Sequence, residues 1–396
     1  MRVLALIIPV LLMGLSAPAM ATEHWTRSWM AAPLTWKTPA DQRPELADTT
    51  VRQVVRLSSG GQRIRLRLSN EMAKEALPIG AVHVALAAED GRILPGSDRT
   101  VAFNRDQGAL VPPQAPLLSD PVDLPVKPLT RLTISLYLPR AVATPTVHAY
   151  AAATGWIAPG DQTGAEQMTG ASTIGPRLIL SAVEVESERP AATIVTLGDS
   201  ITDGVRATND SNRRWPDLLA ERLQRAGRTN MAVANAGISA NRLLSEGEGD
   251  NALARFDRDV LAVPGVTHVV VLEGVNDIGA AFIQKRPMPT AEALIGAYRQ
   301  MIARAHGRGI RIILATILPY KGATYWSEDG DRVRVSVNDW IRTTKEADGF
   351  IDLAKATADR SDPARMAAAY DAGDALHPND AGFAAMADAV DLKLFR

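Results

Sequence analysis

The chain has 396 residues, of which 46% are hydrophobic and 22% charged, so it is long enough for two globular domains of ordinary composition. Its 43 Lys and Arg residues nearly balance its 44 Asp and Glu residues, and the resulting formal net charge of −1 argues against a nucleic-acid-binding protein. The sequence contains no cysteine, which excludes disulfides, thiolate catalysis and cysteine-ligated zinc or iron–sulfur centres.

Residues 1–21 have the pattern of a secretory signal peptide. Arg2 supplies a positive charge, an apolar run covers residues 3–15, and residues 19–21 read Ala-Met-Ala, the small-x-small pattern of a cleavage site. We expect cleavage after Ala21 and export to the periplasm or the medium, without stable membrane insertion afterwards. A retained membrane anchor is the alternative, although the apolar run is shorter than the roughly 20 residues that a spanning helix needs.

Residues 22–188 are predicted to form an all-β accessory domain. Residues 62–69 alternate apolar side chains with arginines, which is the period of a half-buried strand. An apolar run at 51–57 precedes them across Ser-Ser-Gly-Gly, so we expect the two strands to pair as a hairpin. The many prolines of residues 111–128 argue against a central strand there and favour a long surface connection. With further strands predicted at 82–86 and 131–138, the pattern indicates a sandwich or jelly-roll-like fold.

From residue 189 to residue 396 the pattern changes to alternating strands and helices. Short apolar runs are followed by segments with helical spacing of apolar residues. This alternation predicts an α/β domain, with a parallel sheet covered by helices on both faces. The predicted strands are at 192–197, 231–234, 267–272, 310–317 and 350–353. One predicted helix begins at Trp215, and the other predicted helices cover 252–261, 291–306, 333–343 and 381–392.

Polar residues that suit acyl transfer follow several of these strands. Ser200 comes directly after the first strand, and a serine hydroxyl needs a base to become a nucleophile. Asp374 and His377 lie three residues apart in a polar turn, so one imidazole nitrogen can face Asp374 while the other faces a serine. Gly237 follows the second strand and Asn276 the third. The N–H groups of Ser200 and Gly237 and the Asn276 amide would supply three donors to an oxyanion.

These segments resemble the four sequence blocks of the SGNH (GDSL-type) hydrolase superfamily. The matches, in the family's order, are Ser200 in Gly-Asp-Ser-Ile, Gly237 in Asn-Ala-Gly, Asn276 in Gly-Val-Asn-Asp, and Asp374 with His377. An isoleucine replaces the leucine of the four-letter name. The resemblance covers about residues 192–392 and implies a flavodoxin-like α/β/α three-layer domain. It also implies a serine esterase or lipase with an acyl-enzyme intermediate, a Ser200–His377–Asp374 triad and an oxyanion hole of Ser200, Gly237 and Asn276.

The longer stretches at 197–204 and 376–382 are similar to exported bacterial arylesterases and acylhydrolases, some associated with polysaccharide breakdown. This subgroup implies short acyl groups, above all acetyl, on carbohydrate or aryl esters. The alternatives are a lipase or lysophospholipase acting on longer acyl chains and a carbohydrate-binding protein with a relict hydrolase domain. No cofactor is expected. No metal is expected either, although Asp371, Asp374 and His377 are conceivable ligands, because no histidine cluster accompanies them.

Overall fold

The computed structural model of the protein describes residues 23–187 and 191–396. The predicted signal peptide and the predicted domain boundary near residue 188 lie outside the described residues. The division into separately folding units at that boundary therefore stays a prediction. Within the two described ranges, no helix combines the length and apolarity needed to cross a bilayer.

The N-terminal half consists of antiparallel strands. One sheet has the order β1–β16–β4–β10, with β9 also paired to β4, and a second has the order β14–β13–β3–β11–β6–β7. Smaller sheets are formed by β15–β12–β2 and by β5–β8. Single 3₁₀ turns cover Ala40–Gln42 and Glu89–Gly91. The strands are β1 (His24–Met30), β2 (Leu34–Thr35), β3 (Thr49–Arg56), β4 (Gly61–Ser69), β5 (Leu77–Ile79), β6 (Ala81–Leu86), β7 (Arg99–Thr100), β8 (Ala109–Val111), β9 (Pro116–Leu118), β10 (Val122–Val126), β11 (Arg131–Leu138), β12 (Thr146–His148), β13 (Gly155–Pro159), β14 (Ser172–Ile174), β15 (Arg177–Leu178) and β16 (Leu180–Ser187).

The alternation of residues 62–69 has the structural meaning that the sequence predicts. Ile64, Leu66 and Leu68 are fully buried in one hydrophobic core with residues of the facing sheet, such as Leu132 and Leu136. Burying a side chain of this size contributes about 1.5–3 kcal/mol. The arginines on the opposite face of β4 form ion pairs with glutamates of β16 and of the following turn.

The predicted hairpin of residues 51–57 and 62–69 is wrong. β3 pairs with β11 and β13, whereas β4 pairs with β16, β9 and β10. The backbone N–H groups of Leu57 and Ser58 donate to Thr130 and Ser28, so the turn between the strands passes from one sheet to the other. Alternation identifies which side of a strand is buried, but it does not identify the neighbouring strand.

Residues 111–128 also differ from the prediction in part. They contain the short strands β9 and β10, both paired to β4. β10 lies at the edge of its sheet, where Pro125 needs no partner for a backbone N–H. The prolines therefore exclude a central strand there, as predicted, but they allow strands at the edge.

The C-terminal half is a parallel sheet with the strand order β18–β17–β19–β20–β21, which is the flavodoxin-like order. α2 packs against α8, and α5 packs against α3 and α6, giving the helix layers of an α/β/α domain. A π-helical turn (Asp257–Leu261) continues α3, and a 3₁₀ turn covers Leu392–Phe395. The elements are β17 (Ala192–Gly198), α1 (Ser200–Asp203), α2 (Trp215–Arg225), β18 (Met231–Gly237), α3 (Ala252–Phe256), β19 (Val266–Leu272), α4 (Val275–Ile283), α5 (Ala291–His306), β20 (Arg311–Ala315), α6 (Glu328–Thr343), β21 (Gly349–Ile351), α7 (Leu353–Thr357) and α8 (Asp380–Asp388).

The two halves are joined by buried polar contacts along β1 and the β3–β4 turn. The Arg27 N–H donates to Thr193 Oγ1 at 3.1 Å, and the Val233 N–H donates to Ser58 Oγ at 2.9 Å. Met30 belongs to the same core cluster as Ile194 of the parallel sheet. The β half therefore lies against the β17–β18 side of the sheet.

Candidate active site

Ser200 begins the short helix α1 immediately beyond the carboxyl end of β17. Asp199 caps this helix by accepting the Ile201 N–H at 2.9 Å, and Gly204 ends it with a left-handed φ of 95°. A Cβ at Gly198 would collide with Thr202, so the tight strand-to-helix turn requires glycine there. Ser200 is only 7% exposed, and this turn directs it towards the C-terminal loops.

A chain of hydrogen bonds connects Ser200 to His377 and Asp374. Ser200 Oγ lies 2.9 Å from His377 Nε2, and His377 Nδ1 lies 2.9 Å from Asp374 Oδ2. The other carboxylate oxygen accepts the backbone N–H groups of His377 at 2.8 Å and Leu376 at 3.1 Å. With Asp374 accepting the Nδ1–H, the Nε2 atom is left to accept the serine proton. The structure thus brings the predicted nucleophile, base and orienting acid together.

The turn that carries the acid and the base is itself held by hydrogen bonds. Asp371 Oδ1 accepts the N–H groups of Gly373 at 2.8 Å and Ala375 at 3.0 Å, and Ala375 has a positive φ of 59°. Asn379 caps α8 and donates to the Asp371 carbonyl at 3.1 Å. The side chain of Asp371 is therefore used within the turn. In the described ranges, no three His, Asp or Glu side chains are grouped to hold a metal ion.

The carboxyl group of Asp374 is held in its ionised form. Partial burial raises its pKa, but hydrogen bonds and charge interaction from His377 outweigh burial and lower the pKa to about 2. On the outer side, Arg206 Nε lies 3.3 Å from Asp374 Oδ2. The carboxylate is thus ionised and accepts a hydrogen bond from the imidazole Nδ1–H throughout the pH range in which esterases are assayed.

Two of the three predicted oxyanion donors are free to act. The Ser200 N–H lies in the first turn of α1 and makes no hydrogen bond within the described part of the chain, as is usual for such N–H groups. Asn276 Nδ2 donates one hydrogen to the Asn241 carbonyl at 3.0 Å, which leaves its second hydrogen available. The Tyr325 hydroxyl donates to Asn276 Oδ1 at 3.3 Å. Hydrogen bonds at its nitrogen and at its oxygen therefore hold the Asn276 amide in place.

Gly237 does not fit its predicted role in this conformation. Its N–H donates to Asn235 Oδ1 at 2.9 Å, so it is not free to bind an oxyanion. A Cβ at this position would collide with the Asp203 backbone. The glycine therefore allows α1 to pack closely on the end of β18, which is a structural reason for its presence.

The next loop contains another backbone donor that the sequence analysis missed. Ala240 has a left-handed φ of 57° and is exposed, and its N–H has no acceptor among the described residues. The preceding Ser239 binds Asp203 of α1, while the Asn241 carbonyl accepts the Asn276 amide. Ala240 thus lies between two candidate site segments. An alanine in a left-handed conformation cannot be recognised from sequence, because glycine or asparagine is expected there.

His148 of the β half connects the two halves beside the site, and it was not among the predicted site residues. Its ring is 6% exposed, with Nε2 2.9 Å from Asp203 Oδ1 and Nδ1 3.0 Å from the Ala32 carbonyl. Asp203 Oδ2 in turn accepts the N–H of Ser239 at 3.0 Å and its hydroxyl at 2.8 Å. His148 therefore holds, through Asp203, both the helix of Ser200 and the 239–241 loop.

Replacing His148 with alanine is expected to lower kcat about tenfold with a smaller change in KM. Asp203 would keep a buried carboxylate oxygen without its partner, which costs about 1–3 kcal/mol or more, and the 239–241 loop would lose its support. His83→Ala is the matched control, because His83 forms a similar 2.8 Å pair with Asp98 in the β half. Steady-state kinetics and thermal unfolding of both variants check this. Equal kcat losses in the two variants would contradict a positioning role for His148.

A group of buried acidic side chains lies beneath Ser200. Burial and the neighbouring carboxylates raise the pKa of Asp199 and of Glu273, and burial raises the pKa of Asp277 to about 6. The buried guanidinium of Arg255 offsets part of this, since it lies 3.8 Å from Glu273 and donates to the Gly198 carbonyl at 3.0 Å. Near neutral pH the folded protein therefore holds protons that the unfolded chain has released.

The contribution of these carboxyls to the free energy of unfolding is accordingly expected to fall as the pH rises from about 4 to about 8. In the unfolded chain these carboxyls ionise near their ordinary pKa of about 4, whereas in the folded protein they ionise only at higher pH. The stabilisation present at low pH is therefore lost as the pH rises towards the pKa values of the folded protein. Asp199→Asn keeps an acceptor for the Ile201 N–H and should reduce this slope. Asp388→Asn, at a largely exposed side chain, is the control. Urea unfolding at several pH values measures both slopes, and equal slopes would contradict the assignment.

The chain also matches a known protein family. Residues 196–385 match the GDSL-like Lipase/Acylhydrolase family model. Similar solved structures include a GDSL-like lipase from Bacteroides thetaiotaomicron (20% identity, 51% of this chain and 87% of that one, TM-score 0.39). Another is a lipase/acylhydrolase from Enterococcus faecalis (22% identity, 50% of this chain and 92% of that one, TM-score 0.40). A third is a mutant acetyl-xylooligosaccharide esterase from Geobacillus (22% identity, 50% of this chain and 91% of that one, TM-score 0.39).

No curated protein sequence matches the chain significantly. The family match begins near the end of β17, ends within α8 and includes every one of the predicted site residues. The matched segment is the parallel α/β domain, and the antiparallel half lies outside it. Residues 196–385 therefore belong to the GDSL-like lipase/acylhydrolase family of SGNH hydrolases, and the protein is a carboxylic ester hydrolase.

Proposed function

We propose that the protein is an exported serine esterase that removes short acyl groups, above all acetyl, from carbohydrate or aryl esters. The observation that carries this proposal is the hydrogen-bonded chain from Asp374 through His377 to Ser200. Such a chain supplies a nucleophile, a base to activate it and an acid to orient the base, which are the requirements for acyl transfer through a serine.

In the proposed reaction Ser200 Oγ attacks the ester carbonyl carbon while His377 Nε2 takes the hydroxyl proton. The carbonyl oxygen becomes an oxyanion, which accepts hydrogen bonds from the Ser200 N–H and the Asn276 amide. The tetrahedral intermediate then collapses, the bond to the alcohol oxygen breaks, and His377 returns the proton to the departing alcohol. The products of this step are the free alcohol and an acyl-enzyme ester on Ser200.

Water repeats the sequence on the acyl-enzyme. His377 takes a proton from the water as its oxygen attacks the acyl carbonyl, and the same donors stabilise the second oxyanion. Collapse of this intermediate releases the carboxylic acid and returns the proton to Ser200 Oγ. Throughout the cycle the ionised Asp374 stabilises the transient imidazolium without itself accepting the proton.

The surroundings of Ser200 favour a short acyl group. A long acyl chain needs an enclosed apolar pocket, and two large cavities, of about 550 and 610 Å³, lie away from Ser200, around Trp156 and around Val335. Beside the triad lies the polar, largely exposed side chain of Arg206. This polar surface beside the triad suits a polar alcohol such as a sugar better than a lipid.

An acyl chain-length series tests the substrate class. We expect kcat/KM on p-nitrophenyl esters to be highest for acetate and to decline with chain length, and acetate to be released from acetylated xylan. A kcat/KM that increases up to long acyl chains would indicate a lipase or lysophospholipase. Binding of xylan without hydrolysis of any ester would indicate a carbohydrate-binding protein with a relict hydrolase domain.

Export is supported by the positive charge, apolar run and Ala-Met-Ala pattern of residues 1–21. N-terminal sequencing of protein recovered from the periplasm or the medium is expected to begin at Thr22. Recovery of uncleaved protein in the membrane fraction would contradict cleavage and favour a retained anchor.

Asn276→Ala is expected to lower kcat by about 10²–10³ with a smaller change in KM. The reason is that the amide acts on charge that develops only in the transition state. Asn276→Asp has nearly the same size but replaces the N–H donors with a carboxylate oxygen, so its loss should be at least as large. Steady-state kinetics on an aryl acetate measure both. A raised KM with unchanged kcat would make Asn276 a substrate-positioning residue instead.

A further inference from the structure

A buried arginine between the two halves lacks hydrogen-bond partners. Arg177 of β15 is 5% exposed, and its Nη1 atom is buried without a partner. Within the described ranges its guanidinium makes no hydrogen bond; it only faces the ring of Trp29, 5.6 Å from the ring centroid. A guanidinium carries five N–H donors, and burying such a charge without partners is costly. The Arg177 guanidinium can therefore donate hydrogen bonds to a bound ligand, because no protein atom of the described ranges accepts them.

Small cavities lie beside this guanidinium. One of about 20 Å³ and one of about 10 Å³ are both lined by Arg177, Arg214 and Trp29. The larger one also touches Asp217, and the smaller one also touches Asp203. A space of 10–15 Å³ on this measure holds one particle of the size of water. Each space therefore has room for a single small ion or molecule.

The nearby carboxylates are engaged elsewhere. Arg56, which also lines the larger cavity, is paired with Glu221 at 2.6 Å. Asp217 lies within reach of the backbone N–H and the charge of Arg214, which both lower its pKa against the effect of burial, and Asp210 accepts the N–H and hydroxyl of Thr154, each at 2.7 Å.

The Asp203 carboxylate is also occupied, by His148 and Ser239. Burial, followed by repulsion from Arg214, lowers the pKa of Arg177 to about 9, so the side chain remains cationic at neutral pH. In the described ranges no carboxylate lies within ion-pair distance of the Arg177 guanidinium, although the charge of Asp210 acts on it from farther away.

We propose that this interface cavity binds a small monovalent anion, a halide such as chloride, between the guanidiniums of Arg177 and Arg214. A halide fits the single-particle volume, forms the close ion pair that Arg177 lacks within the described ranges, and accepts N–H donors from several directions. The bound ion stabilises the contact between β15 and the segment that precedes α2, next to the Asp203 network. The proposal is independent of the substrate and of the acyl length.

Thermal unfolding of the full-length protein tests the proposal. At constant ionic strength and sodium concentration, replacing gluconate with chloride or bromide is expected to raise the Tm by about 2–5 °C in a saturating manner, because a ligand that binds only the folded state stabilises it. Gluconate is too large for the cavity and serves as the reference anion. Arg177→Gln should lose the halide-dependent rise, whereas the exposed Arg225→Gln control should keep it.

Bromide soaked into crystals of the parent protein provides a second measurement that does not depend on a variant. An anomalous peak within about 4 Å of the Arg177 guanidinium is expected, a range typical of charge-assisted contacts. A Tm that is equal in chloride and gluconate would overturn the proposal. A halide-dependent rise that Arg177→Gln retains, or a cavity without an anomalous peak, would do so as well.

Discussion

Ser200→Ala is expected to lower kcat on an aryl acetate by about 10⁴–10⁶. The variant lacks the oxygen that forms the acyl-enzyme bond, so only the rate enhancement due to binding and the oxyanion donors remains. The fold should be unaffected, because Ser200 Oγ is bonded to His377 and not to any element of the core. Kinetics together with circular dichroism and thermal unfolding separate the two effects.

Ser211→Ala is the matched control for this variant. Ser211 lies in the loop between α1 and α2, and its hydroxyl bonds only the carbonyl of Thr208. Its replacement should leave kcat within a factor of about two. If Ser200→Ala retained a kcat within tenfold of the parent, the assignment of the nucleophile would be wrong.

Asp374→Asn is expected to lower kcat by about 10³–10⁴ with little change in KM. Asparagine can direct an amide N–H at His377 Nδ1, which would favour the tautomer that carries its proton on Nε2 and cannot accept the serine proton. The replacement also removes the negative charge that stabilises the imidazolium. The loss should therefore appear in kcat, and a pre-steady-state measurement should show it already in acylation.

Asp362→Asn provides the control for Asp374→Asn. Asp362 is also a C-terminal loop aspartate in an ion pair, with Lys321 at 2.8 Å, but it has no contact with His377. Its replacement should change kcat by less than about threefold. A kcat loss for Asp374→Asn below tenfold would mean that His377 is oriented by other groups, such as the backbone of its turn.

The parallel half of the fold could be predicted well because its strands are buried on both faces. Such strands appear as short apolar runs, and all five predicted runs overlap strands of the sheet. The missed helix α4 follows Gly274, which has a positive φ of 112° and provides no capping side chain. Because no cap residue precedes the segment and a site residue lies in its first turn, its sequence predicts a loop.

The antiparallel half could be predicted only at the level of single strands. Residues 61–69 form a strand whose buried face agrees with its alternation. In the strand of residues 131–138 the alternating leucines and isoleucine are buried, but Thr133 and Ser135 of the other face are buried as well. The partner of each strand depends on long-range backbone hydrogen bonds, such as those from Leu57 and Ser58 to distant segments. A local pattern does not contain that information, and this is why the predicted hairpin is wrong.

For the candidate site, side chains were easier to assign than backbone groups. Ser200, Asp374 and His377 carry distinctive chemistry in recognisable segments, and the structure brings them within hydrogen-bond distance. Whether the Gly237 N–H is free depends on the orientation of the Asn235 side chain, which accepts it here and which the sequence does not specify.

His148 could not be identified as a positioning residue from the sequence. It lies in the β half and reaches Asp203 only when the two halves pack together. Its role thus depends on a long-range contact, and a histidine within a strand pattern gives no local signal of such a partner.

The most direct test of the central claim is to identify the residue that becomes covalently modified. The protein is treated with a serine-directed fluorophosphonate, its residual esterase activity is followed with time, and the adduct is located by peptide mass mapping. We predict one adduct, on the peptide that contains Ser200, formed in proportion to the loss of activity and strongly slowed in His377→Ala. Complete inactivation with an unmodified Ser200 peptide, or full activity after Ser200 is modified, would contradict the account.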